Sequence, residues 1–298
     1  MRTAIYTITS PLHDEQSVNK VSASFISEIE DELGYPFIFR GTDFSAYGTD
    51  ALDLIYVRTG GTEGIFKSLL PKLSGRILLL TSGKSNSLAA SMEILSYLRQ
   101  QGRSGEIIHG SSAYIASRIR TLAKVEEAKK TLKGCRLGSI GQPSDWLISS
   151  DADKDTVMHK LGISIIDIPV EELIESVSSD REFDLSEDII SLRDNILAQA
   201  PEAVHQYADG AIRIYAALKE IIINYNLSGL TLRCFDLLEP LGNTGCLALA
   251  LLNAESIPAG CEGDMPSLLT MTIGNALTGQ CGFQSNPSHI NPESGEIL

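Results

Sequence analysis

The chain has no long apolar run. Its longest unbroken apolar stretch, Cys246 to Leu252, is far too short to span a bilayer, so no membrane is expected as a partner. The opening Met1-Arg2-Thr3-Ala4-Ile5-Tyr6 lacks the apolar core and small-residue cleavage site of a secretory signal. Basic residues are few: 24 Lys and Arg face 38 Asp and Glu, for a net charge of −14. Binding nucleic acid needs clustered cations to neutralise phosphates, so the balance argues against that class of partner. The densest basic stretch, Lys124 to Lys133 with Arg136, alternates with Glu126 and Glu127 and reads as a solvated helix face. The five cysteines are an odd number, widely spaced and without a CxxC pair. Reduced, buried thiols in a cytoplasmic protein are the expectation. None of the five histidines lies at ligand spacing from a cysteine pair, which argues against zinc. Neither GxGxxG nor a Walker-type GxxxxGK loop occurs, so a nucleotide or flavin has little support.

What is present is alternation. Thr3 to Thr9, Pro36 to Arg40, Leu52 to Arg58, Arg76 to Leu80 and Glu106 to His109 are aliphatic or β-branched runs of strand length. Helical patterns separate them. Ser17 to Leu33 carries Val21, Phe25, Ile26 and Ile29 on one stripe, and Ile65 to Leu73 ends at Ser74-Gly75. Asn86 to Gln101 is closed by Gly102, and Ser111 to Leu132 is long. A second series follows Lys133-Gly134. Its strands are Arg136 to Ile140, Ile163 to Ile168, Leu230 to Phe235 and Ala259 to Glu262. Its helices are Asp153 to Leu161, Val170 to Ser178, one opening at Ser186, Pro201 to about Asn224, Gly245 to Ala254 and Pro266 to Leu277. Ser178 to Ser186 is polar and reads as a surface connection. The expected fold is therefore α/β: two consecutive Rossmann- or flavodoxin-like three-layer domains with parallel sheets, residues 1–133 and 134–298. Gln280 to Leu298 holds two Asn-Pro pairs and little to pack. Within it Phe283 is expected in a strand, and Ile297-Leu298 at the start of another.

The most informative segment is Pro258-Ala259-Gly260-Cys261-Glu262-Gly263-Asp264-Met265. An apolar strand ends in two carboxylates spaced i, i+2, and a helical pattern starts at once. In an α/β protein that is the strand end where chemistry is usually placed. Glu262 and Asp264 there can bind a divalent cation or exchange protons with a substrate. Asp264 also suits a helix N-cap, and the two roles are compatible.

Four ordered segments then resemble the L-fucose isomerase-like sugar isomerases over nearly the whole chain. They are Gly60-Gly61-Thr62-Glu63, Asn86-Ser87-Leu88-Ala89-Ala90, Ile140-Gly141-Gln142-Pro143-Ser144-Asp145-Trp146-Leu147-Ile148, and Cys261-Glu262-Gly263-Asp264 with Leu268-Leu269-Thr270-Met271. The resemblance implies two α/β domains and a β-rich C-terminal domain, here beginning from about residue 259 and otherwise missing. It also implies metal-dependent aldose–ketose isomerisation through an enediol, with a divalent ion, typically manganese, and assembly as a homo-oligomer. Glu262 and Asp264 would be catalytic and metal-binding. Two departures stand out. Cys246 to Asn253 lacks the acid the family carries upstream, leaving Asp236 as the substitute, and the family's downstream histidine is absent. A non-catalytic carbohydrate-binding or regulatory protein on the same fold is the alternative reading.

Weaker candidates complete the set. Trp146, the only tryptophan, is placed to stack on a sugar or to pack between domains. Asn86 would cap a helix or touch substrate. His13 follows a strand at the edge where ligands gather. His109 and His205 read as structural, and the glycines of Gly60-Gly61 as a turn requiring positive φ or as a close backbone approach.

Overall fold

The computed structural model describes residues 3–179, 182–183 and 185–298. Met1, Arg2 and three residues of the expected surface connection, Asp180, Arg181 and Asp184, lie outside the described residues. The chain divides into two units, Met1–Glu127 and Ala128–Leu298.

The first unit runs β1 (Thr3–Ile8), α1 (Glu15–Leu33), β2 (Ile38–Gly41), β3 (Leu52–Val57), α2 (Glu63–Leu69), β4 (Ile77–Leu80), α3 (Ser87–Gln100), β5 (Gly105–Ile108) and α4 (Ser112–Leu132), whose last turn falls past the division. All five strands are parallel, in the order β2-β1-β3-β4-β5. Both faces of the sheet are covered, which is why the inner strand β4 is continuously apolar and β1 and β3 are buried almost throughout rather than alternating. Leu54, Tyr56, Leu78 and Leu80 pack with Ile29, Leu33, Ile115 and Ile119 on one face. Ile55, Val57, Ile77 and Leu79 pack with Phe66, Ile94 and Leu98 on the other.

The second unit runs β6 (Arg136–Ile140), α5 (Lys154–Leu161), β7 (Ser164–Ile168), α6 (Val170–Ser178), α7 (Glu187–Gln199), α8 (Glu202–Tyr225), β8 (Gly229–Leu232), α9 (Leu238–Leu241), α10 (Cys246–Ala254), β9 (Ala259–Cys261) and α11 (Met265–Thr278). Its four strands are also parallel, in the order β7-β6-β8-β9. Ile140, Leu230 and Leu232 pack against α6, α8 and α10 through Leu173, Leu218, Ile221 and Leu252. Leu137 packs on the opposite face with Val157, Met265 and Leu268. This is the expected α/β architecture with two parallel sheets. Among the described residues, no helix is long and apolar enough to cross a membrane.

The structure corrects four local expectations. The strand expected to reach Phe235 stops at Leu232, and Cys234–Leu237 form a 3-10 turn. The connection after α6 is not only surface: Phe183 and Leu185 pack against the core of the second unit. Phe283 lies outside any strand and is 90% exposed. Ile297 makes only an isolated antiparallel bridge with Ile290, so no strand starts there.

Charge pairing fixes the β5 margin of the first sheet. Glu106 accepts from Arg118 at 2.5 Å and 2.9 Å and from Arg76 at 2.6 Å. The hydrogen bonds from Arg118 hold its carboxyl below the usual range. A depressed acid stabilises the fold above its unfolded pKa, and that contribution is lost as pH falls through the lower folded value. Glu106→Gln is therefore expected to lower stability at neutral pH and to flatten its decline on acidification, measured by urea unfolding from pH 7 down to pH ~3.

Candidate active site

In open parallel sheets, ligands bind beyond the carboxyl ends of the strands where the strand order reverses. In the second unit that reversal lies between β6 and β8. Three loops leave the sheet there: 141–146 after β6, 233–237 after β8 and 262–264 after β9. They are tied together. The Ser144 amide donates to the Glu262 carbonyl at 2.9 Å. Arg233 donates through Nη1 to the Pro143 carbonyl at 2.9 Å, through Nε to Asp236 Oδ1 at 2.9 Å, and pairs with Asp145 at 3.3 Å. Trp146 Nε1 donates to Glu262 Oε2 at 3.2 Å, and the indole meets the Phe235 ring edge-on at 5.8 Å between centroids.

The turn after β9 aims Glu262. Glu262 and Gly263 are both left-handed, at φ 65 and 68. A non-glycine residue held there is strained, and such strain concentrates at functional positions. Gly263 has a second constraint: a Cβ would stand 2.6 Å from the Gln142 carbonyl oxygen. Asp264 follows as the N-cap of α11. Its Oδ1 accepts from the Ser267 amide at 3.0 Å and its Oδ2 from the Ser267 hydroxyl at 2.7 Å.

Beside this turn lies a cavity of about 400 Å³, lined by α10 through Cys246, Leu249 and Asn253, by Cys261 and Glu262, and by the 282–286 segment. Its size suits a small ligand. The outer margin of β9 is closed by side-chain amides. Asn253 Oδ1 accepts from the Ala259 amide at 3.0 Å and its Nδ2 donates to the Ala259 carbonyl at 2.8 Å. Gln284 Oε1 accepts from the Cys261 amide at 2.7 Å. Cys261 and Cys234 share a hydrogen bond with their sulfurs 3.1 Å apart. That bond holds the Cys261 thiol down to about 7 and, with burial, pushes Cys234 up.

The structure thus places Glu262, Asp264, Asp236 and Trp146 on adjoining loops at one sheet edge. Their partners differ from a metal site. Both Asp264 oxygens serve the cap, and Asp236 faces Arg233. Glu262 Oε1 makes no hydrogen bond among the described residues, so it is the carboxylate oxygen available for chemistry. Among the described residues, no group of three or more His, Cys, Asp or Glu side chains could hold a metal ion. The described carboxylates do not by themselves fit the divalent ion that the resemblance implies. Trp146 is 58% exposed beside Phe235.

His13 and Asn86 belong to the first unit, in the loops that follow β1 and β4. His13 donates its amide to the Ser10 carbonyl in a turn. Asn86 precedes α3 at φ 61, and its side chain makes no cap hydrogen bond, which corrects the capping expectation. It instead abuts Gly60, where a Cβ would stand 3.0 Å from the Asn86 Cβ, while Gly61 has φ 71. His109 and His205 bond to the carbonyls of Thr81 and Ala200, as structural histidines do. Sequence reasoning missed Arg233, Asn253 and Gln284. Arg233 and Asp236 are spaced i, i+3 at a strand end, a signal that was legible; the two amides sit in sequence contexts that carry none.

No protein-family model matches the chain. Among curated proteins it is similar to a sulfoquinovose isomerase of Alkalicoccus urumqiensis, 24% identical over 234 residues, which is 76% of this chain and 51% of the relative. It is also similar to a sulfoquinovose isomerase of Clostridium sp. (strain MSTE9), 23% identical over 184 residues, 61% of this chain and 41% of the relative. The chain spans about half the length of the curated relatives it matches.

Substitutions at two positions test the turn. Gly263→Ala is expected to destabilise by about 2 kcal/mol or more, from positive φ and the Gln142 carbonyl. Asp264→Ala is expected to cost about 1 kcal/mol as a lost cap, while Asp264→Asn keeps stability because Asn caps as well. Urea unfolding midpoints read both.

Proposed function

We propose that this chain is part of a sugar isomerase that interconverts an aldose and a ketose, with Glu262 as the group that moves the proton. The observation that carries the reading is the conjunction of Glu262, with one oxygen unengaged, on the wall of the cavity and the similarity to two sulfoquinovose isomerases. The motifs point more narrowly to the L-fucose isomerase-like group.

The chemistry needs no net redox change. A carboxylate takes the proton from the carbon beside the sugar carbonyl. The electrons of that C–H bond form a carbon–carbon double bond while the carbonyl π electrons move to their oxygen, which takes up a proton to complete the enediol. The neighbouring hydroxyl then gives up its proton to become the new carbonyl, and the carboxylic acid returns its proton to the former carbonyl carbon. Glu262 is held for this by Trp146 Nε1 on Oε2, which leaves Oε1 toward an incoming C–H. The half-exposed Trp146 indole, hydrogen-bonded to Glu262, would serve as an apolar platform for the sugar ring. The left-handed turn keeps Glu262 at the cavity, and Asp264 anchors that turn to α11. The resemblance adds a divalent ion, manganese, and a homo-oligomer, and the cysteine usage adds the cytoplasm; ligands for such an ion would have to include groups beyond Asp236, Glu262 and Asp264.

A second reading, a non-catalytic carbohydrate-binding or regulatory protein, is favoured by one observation: Asp264 and Asp236 are already engaged. One experiment separates the two. The natural gene product is incubated with sulfoquinovose and a panel of deoxy and pentose aldoses, with and without Mn²⁺, and followed by NMR in D₂O. Isomerisation with deuterium entering beside the carbonyl is expected, and Glu262→Gln should reduce it by about 10²–10⁴-fold. Sugar binding without turnover would establish the second reading, and full activity in Glu262→Gln would remove Glu262 from the chemistry.

A further inference from the structure

We infer that Cys234 and Cys261 are a peroxide-responsive dithiol, which closes to a disulfide and ties the loop of Arg233 and Asp236 to the strand end that carries Glu262. This holds independently of any sugar chemistry at Glu262. The two sulfurs already stand 3.1 Å apart. A disulfide requires about 2.05 Å, so closure needs a shift of about an ångström. The fold supplies the juxtaposition: β8 pairs in parallel with β9, Leu232 opposite Cys261, and Cys234 follows two residues later in the 3-10 turn.

Exposure sets the order of events. Cys261 lines the open cavity, while Cys234 is 1% exposed. A small oxidant therefore reaches Cys261 first, and Cys234 resolves the product. The Cys261 thiolate sulfur attacks one oxygen of hydrogen peroxide, the O–O bond breaks, and the departing hydroxide takes up the proton Cys261 released. Cys261 is then a sulfenic acid. The Cys234 sulfur attacks that sulfur, the S–O bond breaks, and water leaves with the Cys234 proton. Two thiols lose two protons and two electrons, and the peroxide becomes two waters. A thiol without a partner would instead stop at sulfenic acid or proceed to sulfinic acid. Cys246 lines the same cavity and is exposed, so it is the competing partner the test must separate.

The full chain is treated with hydrogen peroxide, its remaining thiols are alkylated in denaturant, and its peptides are mapped without reduction. The alkylatable thiols are expected to fall by two from the five of the reduced chain. One linked peptide pair, Cys234 to Cys261, should appear and be reversed by dithiothreitol. The same link should persist in Cys246→Ser and vanish in Cys261→Ser. Alkylation of both Cys234 and Cys261 after peroxide would overturn the inference. So would sulfinic acid at Cys261 without a link, or a link from either cysteine to Cys246.

Discussion

The parallel pairing of β8 between β6 and β9 is the constraint from which the candidate site follows. Parallel strands send every carboxyl end to the same edge, so the loops after β6, β8 and β9 emerge side by side. Residues distant in sequence, Trp146, Arg233 and Glu262, thereby become neighbours without any long-range loop closure of their own. Arg233 then serves as the tie: one guanidinium satisfies a carbonyl of the first loop and carboxylates of the first and second. Such charge-assisted bonds hold loop geometry better than apolar contact, because they are directional.

The same edge shows how a strongly acidic chain spends its carboxylates. Asp264 stabilises the start of α11, where the helix dipole favours negative charge. Asp236 and Asp145 neutralise Arg233. What is left facing the cavity is Glu262, held by an indole N–H rather than by a cation. A neutral donor orients a carboxylate without cancelling its charge, which suits a group that must accept a proton. The first unit uses the corresponding edge differently. Its loops lace to one another through the Ser10 amide on Thr59 Oγ1 and the Gly60 amide on the Ser85 carbonyl.

Much of this was legible in the chain itself. Both sheets were readable because strands buried on two faces are apolar at nearly every position, as in Ile77 to Leu80 and, but for Asp53, in Leu52 to Val57. The acidic turn after β9 was readable because a short apolar run ends abruptly in Glu262-Gly263-Asp264. The cap role of Asp264 was readable from its position just before Met265. The engagement of Asp236 was not foreseen, although Arg233 stands three residues before it. The seat of Phe183 and Leu185 was hidden inside a polar stretch, since two apolar residues set no period. The meeting of Cys234 with Cys261 depends on strand register across chain positions far apart, and no local pattern encodes register between non-consecutive strands.

The outer margin of β9 has one more implication. A sheet edge is usually sealed by a strand, a loop or charge; here Asn253 and Gln284 lend their amides instead. Rotating a side chain is a local and reversible act, whereas peeling a strand is a cooperative one. Whatever enters the hollow and draws Gln284 aside loosens the backbone of Cys261 directly, one peptide from Glu262. Occupancy of the hollow and the aim of that carboxylate are therefore mechanically linked through a single glutamine.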